Sequence, residues 1–360
     1  MGKYKVYVYA ICKNERKFAA RWMQSMGEAD GVYVLDTGSE DGSEELLSSL
    51  GAHVQRRIVT PWRFDTARNL SLDMVPEDAD ICVCTDLDEV ASPGWRQALE
   101  AAWHPGVQQA LYKYVWSFRA DGSEDVVFDA EKIHARRGFR WVNPVHEVLR
   151  SDAPPSAVYV AGMQVDHHPD ALKSRAQYLP LLEQAVAEDP SNDRNVHYLG
   201  REYLFRGQYQ KCIDMLNRHL SLPSATWREE RCASLRYMAQ AYGALGDAAA
   251  QESCLLRAAA EAPRVREPWI DLARFYYAAA QWEGLLYACR KALAIASQSR
   301  NYICESACYG PLPYDLLSIA CWRLGLRTEA RAAVEQALRL APGDERLRRN
   351  RELMEERESL

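Results

Sequence analysis

The chain has 360 residues, of which 48% are hydrophobic and 26% charged, and a formal net charge of −6 at pH 7. These values suit a globular protein of two domains and exclude a membrane-spanning class, because nowhere do about 18 apolar residues run consecutively. The opening stretch MGKYKVYVYAICKNERKF lacks an apolar segment ending in small residues, so a cytoplasmic location is the expectation.

Short β-rich runs alternate with helical stretches at first: KYKVYVYAI, a helix around 15 to 26, GVYVLD, a helix near 41 to 50, AHVQRRIV, a helix around 65 to 74, then DICVCTD. Such alternation predicts a mostly parallel sheet covered by helices. Ligands of such sheets lie beyond the carboxyl ends of the strands, where Asp36 and Asp86 fall. The fourth strand runs into three acids in ICVCTDLDEV: Asp86, Asp88 and Glu89. The stretch from 110 to 142 predicts hairpin strands with a turn at DGSED, and Trp116 and Trp141 there suit either an acceptor wall or core. NPVHEVL then offers the adjacent His146 and Glu147, expected on a strand and so facing opposite ways, and VDHHPD offers His167 and His168.

From about residue 191 the texture becomes helical and repetitive. YLGREYLFRGQYQKCIDMLNRHLSLP, MAQAYGALGDAAAQESCLLRAAAEAP, WIDLARFYYAAAQWEGLLYACRKALAI and YDLLSIACWRLGLRTEARAAVEQALRLAP align with one another. They resemble tetratricopeptide repeats, with Gly200, Tyr203, Gly207 and Pro223 in the first unit and Gly325, Ala330, Ala337 and Pro342 in the last approximating the pattern. SRNYICESACYGPLP reads as an insertion before the fourth unit, and the Arg/Glu-rich end from 344 as a capping helix. Charge divides at the same place: residues 1 to 190 carry 20 basic against 29 acidic residues, and residues 191 to 360 carry 24 against 21. The ten cysteines, scattered through apolar stretches, read as free, mostly buried thiols, with Cys304 and Cys308 a weak zinc pair.

Three chemistries fit DLDEV. Asp88 could cap the helix begun by SPGWRQALEAAW. Asp86 and Asp88 could share one hard cation, Mg²⁺ or Mn²⁺. The letters also fit the nucleophile strand of haloacid dehalogenase-type phosphatases, although two βα units precede it and no later acidic pair follows a strand.

AICKNERKFAARWMQSM, VYVLDTGSEDGSEELL, FDTARNLSLD and CVCTDLDEV, in that order, resemble the family 2 glycosyltransferases of the A-type fold, and WVNPVHEVL with VDHHPD extends the resemblance to bacterial members fused to tetratricopeptide repeats, including peptide S-glycosyltransferases. The resemblance implies a fold and a boundary: an α/β A-type domain, a Rossmann-like mixed sheet, over 1–190, then an all-α repeat solenoid over 191–360. It implies an inverting transfer from a uridine-diphosphate sugar with a divalent metal. Asn14, Glu15, Asp36, Thr37 and Ser39 would line the nucleotide pocket, with Asp36 accepting the imide N–H of uracil. Arg68 and Asn69 would lie near the diphosphate, Asp86 and Asp88 would hold the metal with His167, and Glu147 would be the base, His146 being the alternative. The implied partner is a peptide or protein acceptor on the repeats, with homodimerisation through them the competing use and no membrane involved; a glycan, nucleobase or other small acceptor is the alternative, and a scaffold that has lost catalysis is the non-enzymatic reading.

Overall fold

The computed structural model describes residues 2–170, 176–300 and 302–356, and the chain divides into two compact units, Met1–Pro190 and Ser191–Leu360. No helix of the described residues is long and apolar enough to cross a membrane.

The first unit begins with parallel pairing. β1 (Val6–Cys12) is buried along most of both faces, as befits a central parallel strand covered by helices on either side. It pairs with β2 (Gly31–Asp36) and β4 (Ile81–Cys84), and β2 pairs with β3 (His53–Arg56), all parallel. The crossovers are α1 (Arg16–Met26), α2 (Ser43–Ser49) and α3 (Phe64–Asp73). In α1 the residues at four-residue spacing, Phe18, Trp22 and Met26, face the sheet, and the indole N–H of the fully buried Trp22 donates to Thr85 at 3.0 Å. Truncating that ring would cost about 3–5 kcal/mol.

The sheet then turns mixed. β5 (Glu89–Ala91), α4 (Trp95–Ala102), β6 (Gln109–Phe118), β7 (Glu124–Ala135), β8 (Phe139–Val142), β9 (Val148–Ser151), β10 (Ala157–His167) and α5 (Tyr178–Glu188) complete the unit. The strand order is β3-β2-β1-β4-β7-β6-β10-β5, with β8 and β9 a separate antiparallel pair. β7 runs antiparallel to β4 and β6, β10 runs parallel to β6, and β5 runs antiparallel to β10. The first half is therefore Rossmann-like. Its order reverses at β1, because β2 and β3 lie to one side and β4 to the other, and the crevice beyond their carboxyl ends is where such sheets take ligands.

The second unit consists of paired helices. α6 (Asp193–Phe205) and α7 (Tyr209–Ser221), α8 (Arg228–Ala244) and α9 (Ala248–Glu261), α10 (Glu267–Ala278) and α11 (Trp282–Leu293), and α12 (Leu312–Arg323) and α13 (Arg327–Leu340) precede α14 (Glu345–Glu356). Gly200 lets α6 and α7 approach closely, since a Cβ there would clash with the Leu216 side chain. Each pair turns through one left-handed residue: Gly207, Gly246, Ala280 and Gly325. The segment after α11 folds back over the third pair, burying Cys308 against Ile270 and Ala292. All ten cysteines are free and buried.

Candidate functional site

Register places the motifs along one edge. Cys12 stands opposite Asp36 and Tyr9 opposite Cys84, so the turns after β1, β2 and β4 bring Asn14, Asp36 and the Asp86–Asp88 stretch to the same end of the sheet. Asp36 is fully buried. Its Oδ1 accepts the backbone N–H groups of Gly38 and Ser39 at 2.9 and 2.8 Å, while Oδ2 has no hydrogen-bond partner. A buried carboxylate oxygen without a donor is destabilising by about 1–3 kcal/mol, and a ligand N–H would relieve it. Thr37 donates its hydroxyl hydrogen to the Cys12 carbonyl, and Ser39 Oγ accepts the N–H of Asn14. Asn14 has φ +57° and accepts the Glu40 N–H, so its left-handed backbone is held from the β2 turn. Glu15 is buried and does not cap α1; Asp41 receives the first free N–H there, from Arg16.

At the acidic turn the carboxylates have separate jobs. Asp86 Oδ1 accepts from Arg68 Nη2 at 2.8 Å and Oδ2 lies 3.3 Å from Lys132 Nζ. Although burial alone would raise its pKa, these two cations hold the Asp86 carboxyl far below the usual range. Glu89 is buried and works as a strut, Oε2 accepting the Asp86 N–H at 3.0 Å and Oε1 accepting from Tyr114 at 2.7 Å and Lys132 at 2.5 Å. Burial raises its pKa despite the lysine. Asp88 does not cap α4; that service comes from Glu28, which accepts the N–H groups of Gly94 and Arg96.

Antiparallel pairing of β5 with β10 sets His167 opposite Glu89 and so beside Asp88. His167 Nε2 lies 3.5 Å from Asp88 Oδ2, Nδ1 lies 3.0 Å from the Trp116 carbonyl, and the ring stacks on Trp116 at 4.4 Å. A backbone carbonyl can only accept, so Nδ1 carries a proton and neutral His167 turns its Nε2 lone pair toward the carboxylate. Two acceptors so placed need a cation between them, either a proton or a metal ion. Burial opposes charging of the ring, yet the Asp88 carboxylate and the Trp116 carbonyl raise the imidazole pKa overall.

Several expectations need correction. Both carboxylate oxygens of Asp86 face Arg68 and Lys132 rather than Asp88. Arg68 is not a free phosphate ligand: its buried guanidinium donates to Asp86 and Glu147, lies against Cys84 Sγ and sits over the Trp141 ring. Asn69 bonds the Trp141 backbone at both ends, donating to its carbonyl and accepting its N–H. Phe64 likewise donates its N–H to the Pro144 carbonyl, so α3 is laced to β8 and its following turn, and this puts Arg68 against Glu147. His146 and Glu147 lie not on a strand but in that turn, with His146 at φ +50° and its ring edge-on to Tyr178. Trp141 is buried, its indole N–H donating to the Tyr9 hydroxyl, whereas Trp116 is partly exposed.

Lys132, Glu89 and Tyr114 escaped sequence reasoning as site residues. Lys132 lies in DAEKIHA of β7, and the pairing that sets it beside β4 left no signal in the sequence.

No protein-family model matches the chain. Solved structures similar to it include MamA, at 19% identity over 45% of this chain and 85% of that one with a TM-score of 0.37. TTC0263, a thermophilic TPR protein in Thermus thermophilus, is 21% identical over 49% of this chain and 88% of its own, with a TM-score of 0.33. YrrB, a TPR protein with an unusual peptide-binding site, is 12% identical over 51% and 83%, with a TM-score of 0.37. The repeat reading of residues 191–360 rests on the helix pairs themselves.

Proposed function

We propose that residues 1–190 form an inverting glycosyltransferase domain of the A-type, taking a sugar from a uridine-diphosphate donor with a divalent cation, and that residues 191–360 present a peptide or protein acceptor. The observation that carries the reading is the Asp88–His167 pair, a carboxylate and an oriented imidazole 3.5 Å apart beside the crevice where the sheet order reverses. Asp36, with a carboxylate oxygen that lacks a donor at the end of β2, suits the imide N–H of uracil.

The residues fit a metal through Asp88 and His167 rather than through two aspartates. An imidazole in the set favours Mn²⁺ over Mg²⁺. Bound there, the cation would neutralise charge on the departing diphosphate. The chain's own part is orientation and proton transfer. Arg68 ties Glu147 and Asp86 to one guanidinium, orienting the Glu147 carboxylate to accept the proton of the incoming nucleophile. The nucleophile forms its bond to the anomeric carbon as the bond to the diphosphate oxygen breaks on the opposite face, so one displacement inverts the centre. In the repeats, 22 arginines against two lysines suit bidentate contacts to carboxylates of an acidic acceptor.

The test is donor hydrolysis and thermal stabilisation with a panel of nucleotide sugars and Mn²⁺. A uridine-diphosphate sugar should be consumed by the wild type and not by Asp88→Asn, whose unfolding midpoint should hold. Stabilisation by guanosine or thymidine donors alone would refute the uridine assignment, and binding without consumption would favour the inactive scaffold.

A further inference from the structure

The second unit carries a separate cluster, remote in sequence from the crevice motifs. Asp193 lies in the first turn of α6, His219 in the last turn of α7 and Glu230 in the first turn of α8, and one ligand atom from each comes within 4.8 Å of the other two. His219 is fully buried and Glu230 nearly so. His219 Nε2 and Glu230 Oε2 have no hydrogen-bond partner, although Nε2 lies 3.4 Å from Glu230 Oε1. Two unsatisfied polar atoms converging inside a helical array are expensive unless a third group completes them.

Geometry and chemistry agree on the missing group. A tetrahedral ion with bonds of about 2.0–2.1 Å separates its ligands by about 3.4 Å. That is the His219–Glu230 spacing. The other ring nitrogen of His219 is already held, Nδ1 lying 2.9 Å from Ser234 Oγ, and the same hydroxyl lies 2.7 Å from Nδ1 of His197, whose Nε2 meets the Tyr302 hydroxyl at 2.8 Å. A chain of this kind fixes the ring and leaves Nε2 directed at the carboxylates, as the outer groups of metal-bound imidazoles do. Asp193 is only partly buried and leaves a side open for a water ligand. The three donors come from three successive helices, so an ion there would clamp the first repeat pair to the second.

We propose that Asp193, His219 and Glu230 form a structural binding site for a first-row transition-metal dication, Zn²⁺ above all. One imidazole with two carboxylates suits such an ion better than Mg²⁺ or Ca²⁺, which take oxygen donors. The alternative is a protonated His219 bridging to Glu230, which would leave the protein indifferent to metal.

The experiment uses the full chain, stripped with chelator and titrated with Zn²⁺, with stoichiometry read by elemental analysis and stability by thermal unfolding. Because Asp88 and His167 can also take metal, Asp88→Asn is the background throughout. In that background Zn²⁺ at about a hundredfold excess over Kd should raise the midpoint by roughly 5 °C. Adding Glu230→Gln, which keeps the side chain's shape, should abolish most of that rise and remove one equivalent of bound metal. Co²⁺ should give the intense visible absorption of a four-coordinate ion, lost on adding His219→Ala. If His219→Ala fails to fold, Glu230→Gln alone decides. A Zn²⁺ response equal in the Asp88→Asn protein and its Glu230→Gln derivative, or no response in the Asp88→Asn protein, would overturn the site without touching the glycosyltransferase reading, which Asp88→Asn tests by turnover.

Discussion

Replacing Lys132 with methionine is the sharpest probe of the crevice. Its ammonium lies 2.5 Å from Glu89 and 3.3 Å from Asp86, and Glu89 is buried. Methionine keeps most of the hydrocarbon stem, so the change is chiefly electrostatic. Asp86 retains Arg68, whereas Glu89 is left with two neutral donors, the Tyr114 hydroxyl and the Asp86 N–H. Removing one partner of a buried ion pair costs about 3–5 kcal/mol. Protonation of Glu89 caps that penalty. Its folded pKa already lies above the ordinary value, so the folded state takes up the proton more readily than the unfolded chain, and stability falls as pH rises through this range. The loss in Lys132→Met should therefore be full near neutral pH and shrink toward pH 5. Urea unfolding followed by tryptophan fluorescence would measure it, and Glu89→Gln in the same background should recover about 2 kcal/mol or more through the coupling of the pair. A penalty below about 1 kcal/mol, with no dependence on residue 89, would be that of a surface pair and would refute the strut.

Other outcomes follow from single contacts. Glu147→Gln should lower donor-to-acceptor kcat by roughly 100-fold while leaving the donor Kd nearly unchanged, and a wild-type kcat would move the base elsewhere. His134 is buried, bonded to Tyr9 and facing the Ala135 carbonyl, and desolvation lowers its pKa to about 4. The unfolded chain therefore binds the proton first, and stability should drop by about 2 kcal/mol between pH 7.5 and pH 5 on this account, a slope that His134→Gln should flatten in denaturant titrations. Ala280 holds φ +53° where the other repeat turns have glycine, so Ala280→Gly should stabilise by about 0.5–1 kcal/mol, read as a raised midpoint.

What sequence could show was local. The β1, β2 and β4 runs announced themselves by their apolar character, Asp36 by its position at a strand end, and Asp86 and Asp88 by position just past one. The repeat pairs showed through Gly207 and Gly325. What it could not show was pairing over distance. Lys132 reaches Asp86 only because β7 folds back beside β4, His167 reaches Asp88 only through the β5–β10 register, and α4 is capped by Glu28 from 66 positions upstream. The same blindness hid the partners of Arg68 and Asn69. Whether a guanidinium is free or already taken by carboxylates depends on Glu147, 79 residues away.

On the proposed reading, charge governs how these parts would serve an anionic donor. Asp86, Asp88, Glu89 and Glu147 converge with Arg68 and Lys132, four carboxylates against two cations, and His167 adds charge only when protonated. With ionised acids the cluster is left with a deficit of two positive charges, while both fixed cations are already committed. A nucleoside diphosphate approaching this crevice alone would meet repulsion at short range, where like charges 4 Å apart are opposed by about 4 kcal/mol at an effective dielectric of 20. A dication at Asp88 and His167 would cancel the deficit and remove that net repulsion. Donor binding on the proposed reading must then be linked to the cation: in calorimetric titrations, affinity for the uridine diphosphate moiety should fall at least tenfold in chelator and in Asp88→Asn, and the loss should grow as ionic strength is lowered. Equal affinity with and without the cation would mean that the diphosphate rests on some other part of the edge, and the metal-binding role of Asp88 and His167 would fall with it.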